Sequence, residues 1–236
     1  MTPVSGRRLL LAVGLWVLLT VLAVGGSLVA VRLLAAGWAG GHRPDLAAAA
    51  VAEAYLTLLA ALLVAFGGPS GLRDRLAFRY TSGADIALAL AVWVLALIGG
   101  TLLTGALSPL LGQPQSNTVT LLRQPFDPAF VAIIVPTICL LAPACEELLF
   151  RGALFGWLRR LLPASVAILV TAAVFAGAHL LPALFPVLFV FGLGATWVRE
   201  RTGSTLNSFA MHATQNTFAV AATYVVLSHG GPGGLT

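Results

Sequence analysis

The chain has 236 residues, 59% hydrophobic and only 9% charged, with a formal charge of +5 and a mean hydropathy of +0.97. A soluble domain carries roughly a quarter charged residues, so this composition excludes one and points to helices that satisfy their own backbone hydrogen bonds in lipid. The basic residues are all arginine and cluster in loops beside apolar runs, which suits topology and anionic headgroups better than nucleic acid.

Seven apolar segments follow in order. The first runs from about Leu9 to Val31 behind Arg7 and Arg8, and is read as an uncleaved helix because it is long for a signal peptide. The others span about Leu46 to Phe66, Ile86 to Leu107, Ala132 to Trp157, Ser165 to Leu181, Ala183 to Val198 and Leu206 to Leu227. Runs such as Ile86 to Leu97 lack the alternation of a membrane β-barrel. The expected fold is all-α, a polytopic transmembrane bundle of about seven spans. Residues 1–130 would supply three spans and an external loop, and residues 131–236 the four motif-bearing spans, within one structural domain.

The arginines orient this bundle. With the N-terminus in the cytoplasm, Arg7, Arg8, Arg73, Arg75, Arg79, Arg159, Arg160, Arg199 and Arg201 fall inside, and Arg32, Arg43 and Arg123 fall outside. Cys139 and Cys145, six residues apart in one apolar run, lie on different helix faces and are poorly placed for a disulfide. Abundant Ala, Leu, Gly and Arg without lysine resembles a GC-rich bacterial genome, and so a bacterial cytoplasmic membrane.

Ionisable groups inside a bilayer are costly and mark partners or function. They gather at three places in the C-terminal half. In Glu146-Glu147-Leu148-Leu149-Phe150-Arg151, Glu147 and Arg151 are i,i+4 neighbours and should pair, leaving Glu146 facing elsewhere. Phe175-Ala-Gly-Ala-His179 places one histidine in an apolar segment, where a satisfied core residue is the bland alternative. His212-Ala-Thr-Gln-Asn216 projects a histidine and an amide from one helix face, suited equally to an interhelical hydrogen bond or to a developing charge. Counting 1.5 Å per residue from the cytoplasmic ends puts Glu146, His179 and His212 about 20, 24 and 14 Å deep, at a shared level of the membrane. Glu53, beside Tyr55 in the second segment, is left outside this group.

In these residues the sequence resembles the CAAX-protease and bacteriocin-processing family of intramembrane proteases, often called the Abi family, which includes the Ras-converting prenyl endopeptidases. The family pattern of Glu-Glu-x-x-x-Arg, Phe-x-x-x-His and His-x-x-x-Asn/Asp reads here EELLFR at 146–151, FAGAH at 175–179 and HATQN at 212–216. The Arg151–Gly152 pair and the stretch from Arg201 to Ser204 are also similar, so the resemblance covers about Pro136 to Ala222. It implies an endopeptidase acting on a membrane-associated or prenylated peptide or protein. Glu146 and His179 would activate water, His212 and Asn216 would stabilise the oxyanion, and Glu147, Arg151 and Phe175 would support them.

This division suits amide hydrolysis, which needs an activated water and a stabilised oxyanion in a site holding little bulk water. Two histidines with a carboxylate can also hold zinc, so a divalent metal stays open, with His179 and His212 as its candidate ligands. No His-Glu-x-x-His motif is present; Gly68-Pro69-Ser70-Gly71 resembles a rhomboid serine motif but is placed in a loop; Cys145 is read as an inert buried thiol. The non-enzymatic alternatives are a membrane binding or immunity protein and a transporter using intramembrane Glu and His. Gly152 and Gly156 are read as helix-packing positions. Composition implies the lipid bilayer as partner and no nucleic acid, the resemblance implies a membrane-associated peptide or protein substrate, and the oligomeric state stays open.

Overall fold

The computed structural model describes residues 4–35, 44–113, 122 and 127–228. Among these the chain is all-helical, without a strand. Eight helices are formed: α1 (Gly6–Ala35), α2 (Pro44–Phe66), α3 (Gly68–Asp74), α4 (Gly83–Leu111), α5 (Pro128–Leu158), α6 (Ala164–Ala178), α7 (Phe185–Thr202) and α8 (Thr205–Ser228). Four stretches are long and apolar enough to cross a membrane: Asp45–Phe66, Gly83–Leu111, Pro128–Leu158 and Pro182–Thr202. The chain is an integral membrane protein. Its apolarity is turned inside out, with Leu10, Leu95 and Leu102 about 70% exposed while Glu147 and Arg151 are fully buried.

Local chemistry explains several boundaries. Ser82 caps α4 by accepting the Asp85 N–H at 3.1 Å, and Gly112, at φ 86°, ends that helix. Asp127 accepts the N–H groups of Ala129 and Phe130, and Pro128 follows it at the first turn. The fourth segment therefore starts earlier than the expected Ala132. Along α5, two π-helical stretches, Thr137–Leu141 and Leu148–Leu154, interrupt the regular winding.

Two expectations are corrected. The fifth segment does not run to Leu181: α6 stops at Ala178 after 15 residues, about 22 Å. Leu180, in left-handed conformation at φ 55°, turns the chain away, and Pro182–Leu184 forms a 3-10 turn before α7 starts at Phe185. His179 therefore sits at the C-terminal cap of α6 and not within a helical run continuing to Leu181. The Gly68–Gly71 stretch is not a loop but the start of α3, introduced by positive φ at Gly67 and Gly68. The expectations for Arg43, Arg123 and most of the 112–128 stretch fall outside the described residues.

Three buried clusters join the helices around the site. Leu58, Leu62 and Phe66 of α2 meet Val4 and Ala12 of the N-terminal region and Cys145 and Leu148 of α5. Ala89 and Ala96 of α4 meet Phe175, Phe191, Val198 and Met211 of α6, α7 and α8. Ala48, Phe130, Ile134 and Val220 join α2, α5 and α8.

One end of the bundle is latched by polar contacts. Arg160 Nη1 donates to the Val4 carbonyl at 2.8 Å, and Arg159 pairs with Glu200 at 3.1 Å. The Thr205 N–H and hydroxyl donate to the carbonyls of Ala77 and Leu76, so the loop before α4 seats the start of α8. Gly152 of α5 lies under the same loop, where a Cβ would sit 2.8 Å from Leu76 Cβ. Both Gly152 and Gly156 thus face packed chain, as close-packing positions do.

Candidate active site

The two adjacent glutamates take different environments. Glu147 Oε1 accepts from Arg151 Nη1 at 2.8 Å and also meets His212 Nδ1 at 2.9 Å. The expected i,i+4 pair is present, but Glu147 does more than neutralise Arg151: it binds α8 to α5. An ionised carboxylate only accepts, so Nδ1 of His212 carries its proton and Nε2 faces away from Glu147. Arg151 in turn stands 4.3 Å from the centroid of Phe175, a cation held on an aromatic face.

Glu146 points to the other side. Its Oε1 accepts the Tyr55 hydroxyl at 2.7 Å, and its Oε2 lies 3.9 Å from His212 Nε2. Tyr55 comes from α2, ninety-one residues earlier. The Cys145 thiol donates to the Tyr55 carbonyl at 3.4 Å, a second tie between these helices. Cys139 and Cys145 are both buried and free.

His179 Nδ1 stands 2.8 Å from the Phe175 carbonyl. A carbonyl oxygen only accepts, so Nδ1 is protonated and Nε2 is the remaining face. Phe175 meets the His179 ring edge to face at 4.9 Å and the His212 ring at 5.8 Å. It is therefore a spacer between both histidines and Arg151.

Asn216 donates Nδ2 to the Ile138 carbonyl at 2.9 Å. That carbonyl belongs to the first π stretch, where the Ala142 N–H bonds to Thr137 instead. Pro143, the next π-register partner, has no N–H to offer. The amide thus fills an acceptor left over by the helix winding and keeps one N–H for another group.

These residues face one cavity of about 550 Å³, whose polar lining is Tyr55, Glu146, His179, His212, Gln215 and Asn216. Aliphatic side chains such as Val51, Leu97, Ile138 and Leu188 make up much of the remainder. All four residues expected at the catalytic centre line this cavity together with Phe175, and Glu147 and Arg151 stand behind them. Sequence reasoning passed over Tyr55 and Gln215, the latter accepting Trp93 Nε1 at 2.7 Å. A tyrosine inside an apolar run was the available signal, since a buried hydroxyl seeks a partner. A zinc ion would need Glu146, His179 and His212 to converge as ligands, but among the described residues no three His, Cys, Asp or Glu side chains form such a group. The side chains as arranged do not fit a metal cage.

The described residues define a helical membrane protein with a buried carboxylate–histidine cluster at an internal cavity. A family model described as "Type II CAAX prenyl endopeptidase Rce1-like" matches residues 128–218, from the start of α5 into α8. This segment, which holds all three motifs, is similar to the Rce1-like CAAX endopeptidases. No curated protein and no solved structure matches the chain significantly.

Proposed function

We propose that this protein is an intramembrane endopeptidase that hydrolyses a peptide bond of a membrane-associated or prenylated substrate. The observation that carries this reading is the 3.9 Å approach of Glu146 Oε2 to His212 Nε2 at the cavity wall. Both groups are fixed from behind, by Tyr55 and by Glu147. Such positioning favours an attack geometry without reorganisation at the moment of reaction.

In the proposed step, Glu146, with His179 Nε2 as the second polar face, takes a proton from water. The water oxygen bonds to the scissile carbonyl carbon. His212, held through Nδ1–H on Glu147, turns its Nε2 edge toward the developing charge, and Asn216 offers its second N–H to the oxyanion. The tetrahedral intermediate then collapses, the C–N bond breaks, and the amine leaves with the proton held by Glu146. The aliphatic cavity wall supports an apolar or lipid-bearing substrate segment.

The accompanying topology has seven helices crossing the membrane, the short α6 completed by the turn after it. The N-terminus lies in the cytoplasm of a bacterial cell. Support comes from the latched end, which gathers Val4, Arg79, Arg159, Arg160 and Glu200, the arginine-rich side of the sequence.

The test is purified protein in lipid vesicles with a library of membrane-anchored peptides, read by mass spectrometry with and without chelator. New peptide termini that vanish in Glu146→Gln support the protease. Loss with chelator and recovery with zinc would restore the metal reading, with His179 and His212 as ligands. Specific peptide binding without cleavage would favour a binding protein, and ion flux without cleavage a transporter.

A further inference from the structure

Resting on the protease reading, we infer that Tyr55 is a positioning residue for the reaction, acting through Glu146. The matched segment begins at residue 128, so nothing in the three motifs assigns a part to α2. Yet the Tyr55 hydroxyl makes the 2.7 Å bond to Glu146 Oε1, and both side chains line the cavity.

The geometry gives this bond a directional consequence. A glutamate side chain has three rotatable bonds, and its two oxygens are equivalent until something distinguishes them. Tyr55 occupies Oε1, which leaves Oε2 as the oxygen nearest His212 Nε2. Without the hydroxyl, the carboxylate can swing, and either oxygen can turn toward His212 or away from it. The base would keep its chemistry but lose its aim, and small misplacements of reacting groups cost rate steeply.

Tyr55 is itself restrained. Its carbonyl accepts from Cys145 Sγ, the thiol adjacent to Glu146 in sequence, and its ring packs at the edge of the α1–α2–α5 core. Backbone and side chain of Tyr55 thus grip two consecutive residues of α5. A tyrosine that only filled space would need neither bond.

Tyr55→Phe keeps the ring and removes the hydroxyl. Purified in lipid, this variant should stay folded at the assay temperature, with at most a small drop in thermal midpoint from the lost hydrogen bond, and keep the wild-type KM while kcat falls about tenfold to a hundredfold. An infrared arm reads the same relationship without turnover. The carboxylate stretch of Glu146, identified by its disappearance in Glu146→Gln, should shift in Tyr55→Phe. Wild-type kcat and an unmoved carboxylate band would overturn the inference, as would a fall in kcat explained wholly by a lowered thermal midpoint. Should wild-type protein cut no peptide in a Glu146-dependent manner, the protease reading fails instead, while an unmoved band still counts against Tyr55 alone.

Discussion

Glu147 Oε1 and His212 Nδ1 stand 2.9 Å apart although sixty-five residues separate them in the chain. Arg151 completes the cluster from one turn further along α5. A buried charge with one partner removed is left without solvation, which is why such clusters resist substitution.

Glu147→Gln should therefore damage both folding and chemistry. It leaves Arg151 buried without its counter-charge and replaces the charged acceptor of His212 Nδ1 with a neutral amide. Loss of one partner of a buried pair costs about 3–5 kcal/mol. A thermal melt in detergent should show a clear fall, and an unchanged midpoint would refute the structural role.

Glu146→Gln should behave differently. The amide keeps the size of the side chain and can still accept from Tyr55, so the melt should stay close to wild type. Product termini in the mass spectrum should disappear. Equal losses of stability in the two glutamine variants would mean that the acids form one structural unit.

His212→Ala and Asn216→Ala should reduce kcat far more than they weaken substrate binding. Removing one oxyanion donor typically costs about 2.7–4 kcal/mol, roughly a hundred- to a thousandfold in rate. Asn216→Ala should also lower the melting midpoint, because the Ile138 carbonyl loses its partner, a penalty of about 1–3 kcal/mol. Turnover near wild type in both variants would remove them from the oxyanion site.

Gly152→Ala tests how tightly α5 is packed. The added methyl would lie 2.8 Å from Leu76 Cβ and 3.2 Å from the Leu76 carbonyl oxygen. Overpacking of this kind costs about 1–3 kcal/mol. A wild-type melt would show that the loop seating α8 yields freely.

Topology is open to reporter fusions. Those after Arg79 and Arg160 should read as cytoplasmic and one after Gly112 as external. An external signal at Arg160 would overturn the proposed orientation.

What was legible in the sequence was local. The Glu147–Arg151 pair follows from i,i+4 spacing, and the helix-forming runs from hydropathy alone. Depth counting brought Glu146, His179 and His212 to one level, and the cavity does gather them. Which partner each would take was not legible, because that depends on the rotational phase of helices far apart in the chain. The bonds Glu147–His212 and Tyr55–Glu146 are both of this kind. The end of α6 was missed for another reason: hydropathy continues through Leu180 and Leu181, whereas the backbone turns at Leu180.

The π winding of α5 has a consequence for how tolerant this helix is of changes in length. Between Asp127, which caps its start, and the two glutamates lies the Thr137–Leu141 stretch, which holds more residues per turn than a regular helix. Deleting one residue there would leave the segment apolar, helical and long enough to span the bilayer. It would also let the stretch return to regular winding, in which a backbone N–H takes the Ile138 carbonyl and withdraws that acceptor from Asn216. Such a deletion is a single gap in a hydrophobic stretch, yet it would unseat Asn216 from the cavity's polar wall.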